Sequence, residues 1–286
     1  MKILTDRAAD LTPQEANDLG ISVAPLYIQF PDGEVDSAEL TPDQFYERLA
    51  DMYPEVPTTA QPSAGIFAEL YRKMMETGDE ILSIHISGGL SGTIDSARLG
   101  AKQVAEKGVT VYDTMTLSGG ERFQVLAAAL ASKAGWAKDA ILERMENIRA
   151  NVEVIYTLET LEYLARGGRI GRVQALAGSL LNIKPVIHVA KEDGKYSTLG
   201  KARTLKKTMA MMADHLHEMY ANTPLWVTVL HGQMNETAEA FAEKLSERLE
   251  VAKLEVLRIS PILGVHTGPG IVGAAVVPMA LMEDLI

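Results

Sequence analysis

Glu80-Ile81-Leu82-Ser83-Ile84-His85-Ile86-Ser87-Gly88-Gly89-Leu90-Ser91-Gly92-Thr93 passes from a β-rich apolar run into a Gly-Ser loop within fourteen residues. Glu80 to Ile86 reads as a strand and Thr93 to about Lys107 as the helix that leaves the loop. Strand, glycine turn and helix in succession form the repeating unit of an α/β protein. The same alternation continues on both sides. Lys2 to Thr5 reads as a first strand, and Val23 to Phe30 as a second, at a sheet edge because Pro25 lacks a ladder donor. Thr41-Pro42-Asp43-Gln44 supplies a capping box with proline at the first helical position, so a helix runs to about Met52. Val109 to Tyr112 adds a strand, and Gly119 to Lys133 and Lys138 to Arg149 add helices.

A boundary near Asn151 follows. Beyond it, Val152 to Thr157 reads as a strand and Leu158 to Arg166 as a helix closed by Gly167-Gly168. Pro185 to Ala190 and Tyr196 to Lys201 pair as a hairpin through Glu192-Asp193-Gly194, which introduces antiparallel pairing. Leu225 to Leu230, Lys253 to Arg258 and Ile271 to Val277 supply further strands, with helices at Thr204 to Tyr220 and Glu236 to Leu249. The expected architecture is two apposed α/β domains. Residues 1–150 would form a mainly parallel sheet with flanking helices, and residues 151–286 a mixed or antiparallel sheet with helices.

With 286 residues, 47% of them hydrophobic, the chain has enough apolar material for two ordinary cores. A formal charge of -11 disfavours nucleic acid and anionic lipid surfaces, so membrane contact should be transient at most. The absence of cysteine removes disulfides, thiol catalysis and thiolate metal sites, and fits a reducing cytoplasm. No apolar run is long enough to span a bilayer, and MKILTDRAAD turns polar too early for a signal peptide. The expected location is cytoplasmic.

Three polar segments stand out against this aliphatic background: Ser87 to Thr93, Gly167-Gly168-Arg169-Ile170, and His266-Thr267-Gly268-Pro269-Gly270. Glycine lets backbone N–H groups approach a ligand, and Ser, Thr, Arg and His supply donors for an anion. The strand-loop-helix at Ser91 and Gly92 suits a carboxylate; without a Lys it is no phosphate-binding P-loop. A plain turn with a helix cap would use the same residues. Arg169, after two glycines, can present paired donors to a carboxylate, or simply close a helix as a surface cation. His215 and His217 point to different helix faces, while His85, His188 and His231 have no carboxylate or histidine nearby in sequence at metal spacing. No metal motif is present, and His266 is set apart by its place in a Gly-Pro-Gly turn.

Together with Pro57-Thr58-Thr59-Ala60-Gln61-Pro62-Ser63 and Leu181-Asn182-Ile183-Lys184-Pro185, these segments resemble the DegV family of bacterial fatty-acid-binding proteins across essentially the whole chain. The resemblance implies that Ser91 and Thr59 hold a fatty acid carboxyl group, with Gly92 beside them. It places Arg169, His266 and Thr267 near the ligand head, the carboxyl group at the domain junction and the acyl chain in the C-terminal domain. It also implies a non-catalytic carrier without a cofactor, serving a separate ATP-dependent fatty acid kinase. The resulting acyl phosphate would pass toward phospholipid synthesis, with an acyltransferase as a further partner. Arg203-Thr204-Leu205-Lys206-Lys207 matches a family segment that could dock the kinase. Ala60 and Arg7 both stand where the family usually has Ser.

For the acyl chain, Met209, Met212, Leu216 and Met219 make one apolar helical stripe, and Ala175, Leu176, Gly178, Leu180 and Leu181 form an apolar stretch. Such stripes are more often ordinary core. Two other functions stay open. Gly89-Leu90-Ser91-Gly92-Thr93 nearly copies a hydrolase nucleophile elbow, with Ser91 and His266 as an esterase or thioesterase pair, but Thr93 stands where glycine belongs. A fold likeness to dihydroxyacetone kinase subunits would instead make His266 the binder of a small carbonyl compound.

Overall fold

The computed structural model describes residues 1–104, 108–173 and 183–286. The expected helix end at 105–107 and the stretch containing Ala175, Leu176, Gly178, Leu180, Leu181 and Asn182 lie outside the described residues.

The chain begins with β1 (Lys2–Asp6), α1 (Pro13–Leu19), β2 (Ser22–Ala24), β3 (Tyr27–Phe30), β4 (Gly33–Asp36), α2 (Pro42–Asp51) and β5 (Thr58–Ala60). It continues with α3 (Ala64–Met75), β6 (Ile81–His85), α4 (Thr93–Lys102), β7 (Val109–Asp113), α5 (Ser118–Lys133) and α6 (Lys138–Asn151). The remaining elements are β8 (Glu153–Leu158), α7 (Glu162–Arg166), β9 (Lys184–Val189), β10 (Tyr196–Ala202), α8 (Leu205–Tyr220), β11 (Leu225–His231), α9 (Asn235–Arg248), β12 (Val251–Arg258), α10 (Pro261–Thr267) and β13 (Ile271–Pro278).

The strands form three sheets. A parallel sheet has the order β2-β1-β6-β7, and a mixed sheet has the order β10-β9-β8-β13-β11-β12. In the mixed sheet only β11 and β12 pair in parallel. The expected α/β class and sheet types are present. A third, antiparallel sheet, β4-β3-β5, stands beyond the two expected ones. Val23 to Phe30 is not one strand: Pro25 ends pairing with β1, and the chain re-enters as β3 in this small sheet. The helix expected from Leu158 is shorter, because Leu158 still pairs with Ile271 at the end of β8.

Layering follows from where each face buries its apolar residues. Phe67 and Tyr71 of α3 and Ala97 of α4 cover one face of the parallel sheet against Leu4 and Ile81. The other face meets Val125, Ala128 and Ala129 of α5 and Ile141 of α6. The opposite side of α5 presents Phe123, Leu126 and Ala127 to Val154, Trp226 and Leu230 of the mixed sheet. Helices α8 and α9 close that sheet's outer face. Met209, Met212 and Leu216 are buried there, in core distant from the inner face, and Met219 is exposed.

Helix α5 approaches the mixed sheet closely because its first turn carries two glycines. A Cβ on Gly119 would lie 2.4 Å from the Cβ of Ala275, and one on Gly120 2.6 Å from Val154 Cγ2. One turn further, Arg122 is buried between the layers. It donates from Nε to Glu15 Oε2 at 3.1 Å, from Nη2 to Glu15 Oε1, and from Nη1 to Glu255 Oε2 at 2.9 Å. Glu255 also accepts from Trp226 Nε1 at 2.9 Å. Burial alone would raise both carboxyls; the Arg122 hydrogen bonds and charge overcome it and hold them below their ordinary value.

Replacing Arg122 with Met should therefore cost about 3 kcal/mol or more near neutral pH, because two partly buried carboxylates lose their shared cation. The contribution is present above the ordinary carboxyl pKa of 4.5 and fades as pH falls through the depressed folded values. Urea unfolding at pH 7 and at pH 3 checks this: the gap between wild type and variant should shrink at the lower pH.

Candidate functional site

The loop after β6 and the last turn of α10 meet where the parallel sheet, the small sheet and the hairpin β9-β10 converge. Ser87 Oγ donates to Gly194 O at 2.8 Å, tying the loop to the hairpin turn that precedes Tyr196. A cavity of about 50 Å³ opens here, lined by Ala8, Leu26, Thr59, Ala60, Gln61, Ile86, Leu90, Ser91, Arg169, Tyr196, Ile262, Leu263 and His266. Thr59, Ser91, Arg169 and His266, expected from four separate segments, thus face one space.

Their local geometry is specific. Thr59 Oγ1 lies 2.9 Å from His266 Nε2, a contact joining residues 207 positions apart. Ser91 Oγ lies 2.8 Å from Thr93 Oγ1 and accepts from the Thr93 backbone N–H at 3.3 Å, at the start of α4. Arg169 follows α7 through Gly168, whose φ is +71°, and donates from Nη1 to Gly167 O at 2.7 Å. Among the described residues no carboxylate pairs with Arg169, so its charge remains uncompensated by an ion pair. Gly167 must be glycine: a Cβ there would lie 2.3 Å from His266 Nδ1.

His266 sits at the end of α10, not in the Gly-Pro-Gly turn that the sequence suggested. Burial, with the nearby charge of Arg169 second, pushes its pKa down to about 4. The ring is therefore neutral at neutral pH, and Nδ1 has no hydrogen-bond partner among the described residues. Gly92 and Thr267 do not join the group. Gly92 is exposed at the start of α4, behind Ser91 and against Gln61. Thr267 points the other way, donating to Leu263 O at 3.1 Å within its own helix.

Thr267 instead borders a second cavity, of about 30 Å³ and mainly aliphatic lining. Leu117 and Ser118 of the α5 approach, Val154 and Tyr156 of β8, Leu230 and Ile271 lie around it. Tyr196 and Leu263 border both cavities and separate the polar one from the apolar one. Each has room for at most a few waters.

Two side-chain groups were not visible in the sequence. His85 has a carboxylate partner after all, with Asp6 Oδ2 2.9 Å from Nδ1 and Ser83 Oγ 2.6 Å from Nε2. Asp6 also accepts from the backbone of Ala8 and Ile86, both of which line the polar cavity. The Ser-His-Asp order is that of a hydrolase relay, but all three side chains are buried and none borders either of these two cavities. Its effect is to position Ala8 and Ile86. Likewise His188 Nδ1 lies 2.9 Å from Glu153 Oε1, with His215 Nε2 at 3.9 Å from the same oxygen. For Ser91 and His266, neither the serine-imidazole nor an imidazole-carboxylate hydrogen bond is present among the described residues.

The family whose description reads "Uncharacterised protein, DegV family" matches residues 1–279. The chain belongs to the DegV family. A DegV domain-containing protein of Deinococcus radiodurans is 36% identical over 279 residues, covering 97% of this chain and 96% of the relative. The solved structure of a fatty-acid-binding DegV family protein from Thermus thermophilus superposes with a TM-score of 0.90 at 33% identity, covering 97% and 99% of the two chains. A stearic acid-binding protein from Eubacterium ventriosum superposes with a TM-score of 0.88 at 25% identity, covering 97% and 98%. Both describe the same architecture as this DegV chain. Among its described residues, no helix is long and apolar enough to cross a membrane.

The depressed His266 pKa has a measurable consequence. Between pH 6.5 and about 4 the unfolded chain takes up a proton at this position that the folded chain refuses, so folding stability falls as pH falls through that window. Exchanging His266 for Gln should flatten the pH dependence by up to one proton over the same range. Urea denaturation of both proteins in steps from pH 7 to pH 4 gives the difference; parallel curves would contradict a buried neutral imidazole.

Proposed function

We propose that this DegV chain binds one long-chain fatty acid, with its carboxyl group in the polar cavity and its acyl chain in the apolar space beyond Tyr196 and Leu263. The observation that carries the reading is the convergence of Thr59, Ser91, Arg169 and His266 on one side of that partition, with a mainly aliphatic lining on the other. Fatty acid binding by the Thermus thermophilus and Eubacterium ventriosum relatives supports it.

In this account Ser91 and Thr59 hold the carboxyl oxygens by hydrogen bonds, and Arg169 supplies the counter-charge. His266, neutral, acts as a hydrogen-bonding partner of Thr59 and the head group and adds no second cation. The tail supplies most of the affinity: each buried methylene contributes about 0.8 kcal/mol gross, against roughly 1.5–3 kcal/mol for a hydrogen bond to a charged group. Because both cavities are small, Tyr196 and Leu263 must part and the core between α5 and the mixed sheet must open as the chain enters.

The carboxyl group would then be offered to a separate ATP-dependent kinase, which forms the acyl phosphate, and the chain itself would be a carrier without a catalytic residue. Residues 1–150 and 151–286 would act as the two domains whose junction holds the head group. The esterase reading loses support from the missing Ser91–His266 contact, and the apolar cavity beside the head site favours a lipid over a small carbonyl compound.

Comparing a C18 fatty acid with the alcohol of equal length isolates the head group. Delipidated wild type should prefer the acid. Arg169→Gln should reduce that preference by roughly tenfold to a hundredfold, and Ser91→Ala or Thr59→Val by less, while alcohol binding stays nearly constant. With the partner kinase present, Ser91→Ala should lower phosphorylation of bound lipid more than it lowers affinity. Equal affinity of wild type for acid and alcohol would contradict the assignment of the polar cavity.

A further inference from the structure

Asp10 takes no part in the lipid account and borders neither cavity of the lipid site, yet both of its carboxylate oxygens are engaged with segments that do. Oδ2 accepts from Ser118 Oγ at 2.6 Å, and Oδ1 accepts from the backbone N–H of Ser260 at 2.7 Å. These partners are the first residue of α5 and the residue preceding α10, 108 and 250 positions away. Neither helix holds its own start: Leu117 before α5 and Ser260 before α10 make no side-chain cap hydrogen bond. One carboxylate, from the turn after β1, anchors both helix N-termini.

The anchored segments supply wall to both cavities. Leu117 and Ser118 border the apolar one, as do Ile259, Leu263 and Thr267 in and beside α10. Ile262, Leu263 and His266 of α10 border the polar one, together with Ala8 from the same turn as Asp10. The arrangement is held at a cost. Asp10 is 7% exposed, and burial raises its carboxyl from the ordinary 3.8 to about 6, although the bonds from Ser118 and Ser260 and the charge of Arg122 lower it. At neutral pH it is mostly ionised where charge is disfavoured. The backbone adds strain: Asp10 and Ser118, the two ends of the side-chain contact, have φ of +49° and +54°, left-handed values uncommon outside glycine. Such costs persist where the surrounding fold enforces them, and they cluster at functional sites.

We propose that Asp10 is a positioning residue of the lipid site, fixing the starts of α5 and α10 relative to each other and so the spacing of the walls that carry Leu117, Leu263 and His266. The proposal rests on the fatty acid reading for its ligand, but not for its geometry. What matters is where the two hydrogen-bonding atoms stand, more than the charge. An asparagine here offers Oδ1 to the Ser260 N–H and its amide N–H to Ser118 Oγ, a hydroxyl that can accept as well as donate. Loss of both atoms frees the two helix starts, so the walls of both cavities shift together. Loss of Arg169, by contrast, removes only the charge facing the head group.

Affinities of the C18 acid and the alcohol of equal length for delipidated wild type, Asp10→Ala and Asp10→Asn provide the test, at a temperature where denaturation curves show each protein folded. Asp10→Ala should weaken both ligands by similar factors, roughly fivefold or more, and Asp10→Asn should bind both within about twofold of wild type. A role in stability alone would lower the unfolding midpoint and leave the affinity of the folded protein untouched. The ¹⁵N signals of the His266 ring, assigned with His266→Gln and recorded without lipid, give a second readout: they should move in Asp10→Ala and return in Asp10→Asn. Should Asp10→Ala not fold, Ser118→Ala, which removes one of the two bonds, takes its place with the same expectations at smaller size. A wild type that binds neither ligand contradicts the fatty acid reading, while the imidazole signals still decide the role of Asp10. Wild-type affinities and unmoved His266 signals in folded Asp10→Ala, a loss confined to the acid, or an Asp10→Asn as impaired as Asp10→Ala would overturn the proposal.

Discussion

The burial of α5 between two sheets is the constraint on which the rest of the molecule depends. A helix with both faces covered needs small residues where the sheets come nearest, and the chain supplies Gly119 and Gly120 against the mixed sheet and Ala128 and Ala129 on the parallel-sheet side. It also carries Arg122 into the interface, and the two carboxylates that meet it come from α1 and β12. Hydrophobic contact alone is indifferent to sliding along the helix. The paired hydrogen bonds of Arg122 select one register, and that register brings the loop after β6 against the β9-β10 turn through Ser87 and Gly194.

The polar cavity exists because of that alignment. None of its four principal polar residues is close in sequence to another, and the contact between Thr59 and His266 forms only when the small sheet and α10 are both docked. Electrostatics then differentiate two nitrogen bases. Burial, and second to it the positive charge of the neighbouring Arg169 guanidinium, keep His266 neutral. One cation and several neutral donors suit a singly charged head group. Beyond Tyr196 and Leu263 the lining is mainly aliphatic, with Ser118, Tyr156 and Thr267 as its polar-bearing members.

Local chemistry explains what could be read from the chain. Thr41-Pro42-Asp43-Gln44 gave the start of α2 because its capping box is formed within four residues. Thr12-Pro13-Gln14-Glu15 has the same signature and begins α1. Helix α10 was hidden for a different reason: Pro261-Ile262-Leu263-Gly264-Val265 is buried on all sides and shows no polar face to set a period. Pro25 marked a strand edge, but whether the chain resumed in the same sheet depended on partners elsewhere. Thr59, Ser91, Arg169 and His266 were legible through their segments, though only the fold could turn Thr267 away and leave Gly92 outside. The partner of His85 lies 79 residues away in Asp6, a distance no spacing rule covers.

The most direct measurement of the central claim is native mass spectrometry of protein purified without added lipid, followed by identification of whatever an organic extract releases. The account predicts one long-chain fatty acid per chain, lost on denaturation. A protein that carries no lipid and takes none up after exposure to fatty acids, or that releases a phosphosugar or nucleotide in its place, would contradict it.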